Sequence, residues 1–194
     1  MAITIDGSSG IASVDGSAAS PSVRGTDANS GILYTADAIK FSTGGTQRAV
    51  IDNNGLSSAG HILQVKQTLW NTHDGNLSNT SFAALSGFTV DITPSATSSK
   101  MLITLNLLLE CRSTSVIAVQ LTRGGAEMFV NEGGYRGESA FGGYVSMTYL
   151  DSPNTTSQVT YGVETRTSNS NYVINNYIGS GPSNSFLTVM EVGG

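Results

Sequence analysis

Apolar and polar positions alternate strictly over residues 101–111: Met101, Ile103, Leu105, Leu107, Leu109 and Cys111 share one parity, and Thr104, Asn106 and Glu110 the other. A period of two is the signature of a half-buried β-strand. Leu102 and Leu108 sit among the polar parity, so the second face of this strand is expected to be partly covered, as by a neighbouring subunit. Shorter runs of the same kind fall at 116–123, 143–150, 158–166, 172–178 and 185–192. They are separated by turn clusters such as Arg123-Gly124-Gly125 and Asp151-Ser152-Pro153-Asn154.

No stretch has a convincing helical period. About eight strands after residue 60 predict an all-β fold, a jelly-roll-like β-sandwich over residues 61–194. The first 60 residues differ. Apolar runs there are short and broken by Asp6-Gly7-Ser8-Ser9-Gly10, Asp15-Gly16-Ser17 and Asp52-Asn53-Asn54-Gly55. Ile39-Lys40-Phe41-Ser42 and Arg48-Ala49-Val50-Ile51 read as a hairpin closed by Gly44 and Gly45, which supply positive φ. Segments this thin bury too little apolar area to fold alone, so residues 1–60 are expected to need a partner chain for anchoring or trimerisation.

Composition narrows the function classes. Only 12 % of residues are charged, against roughly a quarter in a typical soluble domain. Ser, Thr, Asn and Gly therefore face the water, which suits a particle surface. The 9 Lys+Arg against 14 Asp+Glu give a net charge of -5, the opposite of a nucleic-acid footprint. No apolar run approaches a bilayer span, and the N-terminus lacks the basic and apolar regions of a signal peptide. Release by cell lysis, as part of a particle, accounts for that combination.

Candidate chemistry is sparse. His61 and His73 lack a companion Cys or carboxylate at ligand spacing, and Asp74 beside His73 would point to the opposite strand face. There is no Gly-x-Ser-x-Gly elbow and no Ser-x-x-Lys. Asp52-Asn53-Asn54-Gly55 lacks the twelfth-position Glu of an EF-hand. The single cysteine, Cys111, excludes an internal disulfide and reads as a small inward-facing apolar residue. The expectation is a non-enzymatic chain with no catalytic residues, metal or cofactor.

Sugar recognition pairs aromatic faces with Asn, Asp and Arg in exposed loops. The run Asn131-Glu132-Gly133-Gly134-Tyr135-Arg136-Gly137-Glu138 has that mix, and so has Asn169-Ser170-Asn171-Tyr172. Both are read as loops, with 124–127 as a third contact loop. Asn131, Tyr135, Arg136, Glu138, Asn169 and Asn171 are the receptor-contact candidates. The competing reading makes the tyrosines core or interface packing.

Ile62-Leu63-Gln64-Val65-Lys66-Gln67, then Leu85-Ser86-Gly87-Phe88-Thr89-Val90-Asp91-Ile92-Thr93-Pro94-Ser95 and Ser98-Ser99-Lys100-Met101-Leu102-Ile103, resemble the opening of a C-terminal domain common in phage tail-fibre and other virion proteins, many of them marine. Gln120-Leu121-Thr122-Arg123-Gly124, Tyr149-Leu150-Asp151-Ser152-Pro153-Asn154-Thr155-Thr156 and Leu187-Thr188-Val189-Met190-Glu191-Val192 are similar to its later segments. The resemblance covers most of the chain and keeps its segments in order. It implies a homotrimer on the virion surface, made in an infected bacterium, with tail or capsid proteins as partners; the loop composition above adds a host-surface glycan as the expected ligand. A long fibre would carry an anchor and shaft that the 60 preceding residues do not match. The alternative is a capsid decoration protein gripping the shell by strand addition through Ile3, Ile5, Ile11 and Val14.

Overall fold

The alternation at 101–111 becomes strand β11 (Lys100–Cys111), with Met101, Ile103, Leu105, Leu107, Leu109 and Cys111 all buried. The computed structural model describes residues 5–6, 10–11, 15–53, 55–71, 74–111, 114–137, 141–168, 172–174 and 184–194. Every element within them is a β-strand. The chain divides into two compact units, Met1–His61 with Gly193–Gly194, and Ile62–Val192.

The first unit holds a short pair, β1 (Ile5–Asp6) with β2 (Gly10–Ile11), and an antiparallel meander ordered β3-β4-β5-β6-β7. Its strands are β3 (Val23–Arg24), β4 (Gly31–Thr35), β5 (Ala38–Thr43), β6 (Thr46–Asp52) and β7 (Gly55–Ser57). The hairpin expected at 39–51 is formed: Gly44 and Gly45 have φ of 58° and 74°, the two positive values that a two-residue turn between right-twisted strands requires. Ile5 and Ile11 are Cα partners across β1 and β2, while Ile3 and Val14 lie outside the described residues.

The second unit contains β8 (Ile62–Trp70), β9 (Asp74–Leu77), β10 (Ala83–Ile92), β11, β12 (Ser115–Arg123), β13 (Ala126–Gly137), β14 (Phe141–Asp151), β15 (Val159–Thr167), β16 (Tyr172–Ile174) and β17 (Ser185–Val192). A four-stranded sheet runs β10-β15-β12-β13. A six-stranded sheet runs β8-β17-β11-β16-β9, with β14 also paired to β11. The two pack as a sandwich. One sheet contributes Met101, Ile103, Leu105, Leu107, Val145, Met147, Leu187 and Val189 to the core, and the other Phe88, Val90, Ile92, Ile117, Val119, Leu121, Tyr161 and Val163. Trp70 on β8 stacks on Phe88 of β10 with ring centroids 5.1 Å apart, joining the layers.

Residues 131–137 belong to strand β13, not to a loop. β13 contains two glycines in succession, Gly133 and Gly134, which blur the alternation by which a strand is recognised, and its pairing with β12 shifts register between Ile117 and Val119. Of the strand expected at 172–178, Tyr172–Ile174 form β16, and residues 175–178 lie outside the described residues.

Candidate functional site

Strand parity decides what β13 can present. Asn131 pairs with Val119 and Tyr135 with Ile117, and both partners are buried core residues. Alternation therefore turns Asn131 and Tyr135 inward, and both are half-buried. The Tyr135 ring lies across two glycines. A Cβ on Gly143 would come within 3.0 Å of Tyr135 Cε2, and one on Gly137 within 3.1 Å of Cε1. The ring thus fills space that the glycines leave open. Arg136, opposite Val116, faces outward and is exposed. Glu138, Asn169 and Asn171 lie outside the described residues.

The outer face of the β10-β15-β12-β13 sheet carries polar and charged groups that sequence reading missed. Glu132 of β13 and Arg166 of β15 form an ion pair, and the Arg166 guanidinium sits 5.1 Å from the ring centroid of Phe82. The strand between them, β12, places Ala118 opposite Arg166. A methyl side chain there lets the two long side chains meet across the strand. On the same face Gln120 Nε2 is 3.4 Å from Glu164 Oε2, and Thr160 Oγ1 donates to Asp91 Oδ1 at 2.6 Å.

The opposite outer face, on the six-stranded sheet, is of another kind. Its register aligns three rows across β8, β17, β11 and β14: Val65-Met190-Leu102-Leu150, Gln67-Thr188-Thr104-Thr148 and Leu69-Phe186-Asn106-Ser146. None of these positions is charged. Gln67 Nε2 donates to Thr188 Oγ1 at 2.7 Å and Ser146 Oγ to Asn106 Oδ1 at 2.6 Å, so each of the two rows holds a hydrogen bond within the face. Val65, Leu69 and Leu150 remain more than half exposed.

Inside the sandwich, Glu191 accepts hydrogen bonds from Ser95 N (2.7 Å), Ser95 Oγ (2.6 Å) and Gln64 Nε2 (2.6 Å). Burial pushes its carboxyl up, but the donors from Ser95, Ser99 and Gln64 together outweigh it and hold the pKa below its ordinary value. This carboxylate ties the Thr93–Ser95 turn to β17 and β8. Cys111 is fully buried, and desolvation raises its thiol pKa. His61 is exposed, and His73 lies outside the described residues. Among the described residues no three His, Cys, Asp or Glu side chains gather where they could hold a metal ion.

No family model matches this chain. No curated protein is similar to it in sequence. Among solved structures it is similar to the VP2 subviral particle of infectious bursal disease virus, with a TM-score of 0.41 and 9 % identity over 79 % of this chain and 46 % of that one. The Gt strain of the same virus gives a TM-score of 0.41 and 10 % identity over 81 % and 48 %. The chain spans about half the length of these viral proteins.

Proposed function

We propose that this chain is a non-enzymatic structural protein of the phage tail-fibre class, a homotrimer exposed on the particle and contacting the host surface. The observation that supports it is the contrast between the two outer faces of the sandwich. A face of three uncharged rows, with Val65, Leu69 and Leu150 open to solvent, suits contact with neighbouring protein, whereas the ion-paired face carrying Glu132, Arg136, Arg166 and Glu164 suits water and polar ligands. The sequence resemblance to phage virion proteins points the same way.

Host contact is assigned to the charged face, with Arg136 as its exposed cation and a surface glycan as the ligand class. Many copies per particle would raise weak single-site binding to useful avidity. Immuno-gold labelling of intact virions with antibodies against residues 61–194 tests the location. Gold on the tail is the expected result, and absence from the virion would overturn the proposal.

The second reading is a capsid decoration protein, favoured by the separate compactness of the unit Met1–His61, which could seat on a shell. Gold over the head would select it.

A further inference from the structure

Among the described residues five strands of the sandwich pair on one side only, and four of these edges are guarded against another chain. β8 sets Lys66 opposite the core residue Val189, which puts a charge on its inward parity. Gln64 Nε2 and Thr68 Oγ1 also bond the carbonyls of Thr93 and of Thr89 on β10, at 2.7 and 2.6 Å. β9 spans only Asp74–Leu77. β10 slips register between Ala84 and Thr89, with Gly87 at a φ of 78°. β13 slips twice against β12 and exposes Glu127, Glu132 and Arg136. Charge, short length and bulges are the devices by which natural sheets block edge-to-edge contact.

β14 has none of them. Its register with β11 runs through eleven consecutive pairs, from Cys111↔Phe141 to Met101↔Asp151, without a slip. Residues 141–150 include no proline and no charged residue. At 3.4 Å per residue the stretch 142–150 presents an edge roughly 30 Å long. Among the described residues β14 pairs with no strand but β11. A long, flat edge left open where every other is blocked is a site for strand addition.

We infer that β14 is completed by β14 of a second copy, the two strands running antiparallel about a two-fold axis at Ser146, so that the six-stranded sheet continues from one chain into the next. This goes beyond the homotrimer reading, because a two-fold contact cannot be a three-fold one and joins chains of different trimers. An open strand edge is complementary to its own antiparallel image: each free N–H meets a free C=O, and opposed side chains fall on the same face. Ser146 is the midpoint of 142–150, so pairing about it engages the whole uncharged stretch. On the outer face it sets Gly142 opposite the partner's Leu150 and Tyr144 opposite the partner's Thr148. A small residue thus meets each large one. Leu150 and Tyr144 are 57 % and 56 % exposed, and they fall on neighbouring rungs of the pair, within the diagonal reach of an aromatic side chain. The size match lies between the two halves of one strand, which favours the strand itself as partner over a foreign segment.

Light scattering and cross-linking of the full chain test this. The single cysteine, Cys111, is fully buried, so a new surface cysteine is the accessible thiol. Ser146→Cys is compared with Gln67→Cys, which lies on the same outer face but on the guarded strand β8. With a short bismaleimide, Ser146→Cys should give paired chains at about tenfold or more above Gln67→Cys, because opposed cysteines react at millimolar effective concentration. Equal or lower yield from Ser146→Cys would overturn the contact. Ser146→Lys sets two ammonium groups directly opposite each other and should dissociate the pair while the far-UV circular dichroism stays that of the parent. An unchanged mass in that variant would overturn it too.

The parent's mass separates this contact from the homotrimer. Two-fold and three-fold contacts together close at six copies, and six, falling to three in Ser146→Lys, is the expected result. A mass of two copies would keep the β14 contact and overturn the trimer. Three would keep the trimer and overturn the contact, and one would overturn both. Backbone amides of 142–150 that become protected from exchange only when the chain sits in the virion would give the edge to another virion protein, and the contact between copies would fall.

Discussion

The hydroxyl of Tyr161 donates a hydrogen bond to Asp151 Oδ2 at 2.7 Å, and Arg123 Nη1 reaches the same oxygen, also at 2.7 Å. Tyr161 and Arg123 are register partners on β15 and β12, while Asp151 ends β14 of the other sheet. One carboxylate therefore latches the two layers of the sandwich. Burial, then the hydrogen bond to Asp151 and its charge, hold the Tyr161 phenol well above its ordinary pKa, so it remains a donor at all physiological pH values.

Loss of the donor and loss of the acceptor should therefore differ in cost. Tyr161→Phe keeps the ring in the core and leaves Asp151 paired with Arg123, a cost of about 1 kcal/mol. Asp151→Ala strands a buried hydroxyl and leaves Arg123 only the Ser152 carbonyl, a cost of about 2–3 kcal/mol. Guanidinium denaturation midpoints at unchanged slope read both. Equal losses would show that the latch is not centred on the carboxylate.

Glu191 gives the sandwich an acid-side dependence. Its folded pKa lies below its ordinary value of 4.5. Its contribution is thus fully present above the unfolded pKa and is lost as pH falls through the folded one. Urea midpoints followed from pH 7 to pH 3 should fall below about pH 4.5 and fall less steeply in Glu191→Gln, which keeps an acceptor for Ser95 but does not titrate. Parallel curves would remove Glu191 from the acid transition.

What the sequence made legible, and what it hid, follows from how far each signal reaches along the chain. The β5–β6 hairpin needs only Gly44, Gly45 and two short apolar runs, and β11 needs only its own parity. Both are local patterns. The Glu132–Arg166 pair joins residues on β13 and β15, and it exists because β12 lies between them with Ala118 at the crossing. No spacing rule encodes that. Nor does the sequence around Glu191 announce that Ser95 and Gln64 will converge on it. Gly133, Gly134 and Gly137 give residues 131–138 the composition of a loop. In the fold, Gly137 and Gly143 instead leave room for the Tyr135 ring.

That last relationship predicts non-additive stability. Gly143→Val drives side-chain atoms into the Tyr135 ring, where even a Cβ would stand at 3.0 Å, and should cost about 2 kcal/mol. Tyr135→Ala removes a half-buried ring from the core edge and should cost about 2 kcal/mol. Together they should cost clearly less than the sum, because the valine occupies the space the ring vacates. Additive losses in thermal or chemical denaturation would mean that the ring and Gly143 do not share that space.

The same placement separates packing from recognition in host adsorption. A Tyr135 variant changes core packing as well as surface chemistry, so a drop in adsorption from it would be ambiguous. Arg136 is exposed and projects from the charged face, so Arg136→Ser should leave the denaturation midpoint within about 0.5 kcal/mol of the parent. If the charged face contacts the host, particles carrying Arg136→Ser should adsorb several-fold more slowly. The deficit should narrow in high salt, where the parent's own electrostatic advantage is screened. Arg166→Ser supplies the contrast, since its guanidinium is already engaged by Glu132 and the Phe82 ring. It should lose some stability and change adsorption less. Normal adsorption by Arg136→Ser particles at low salt would move host contact off this face and onto other parts of the virion.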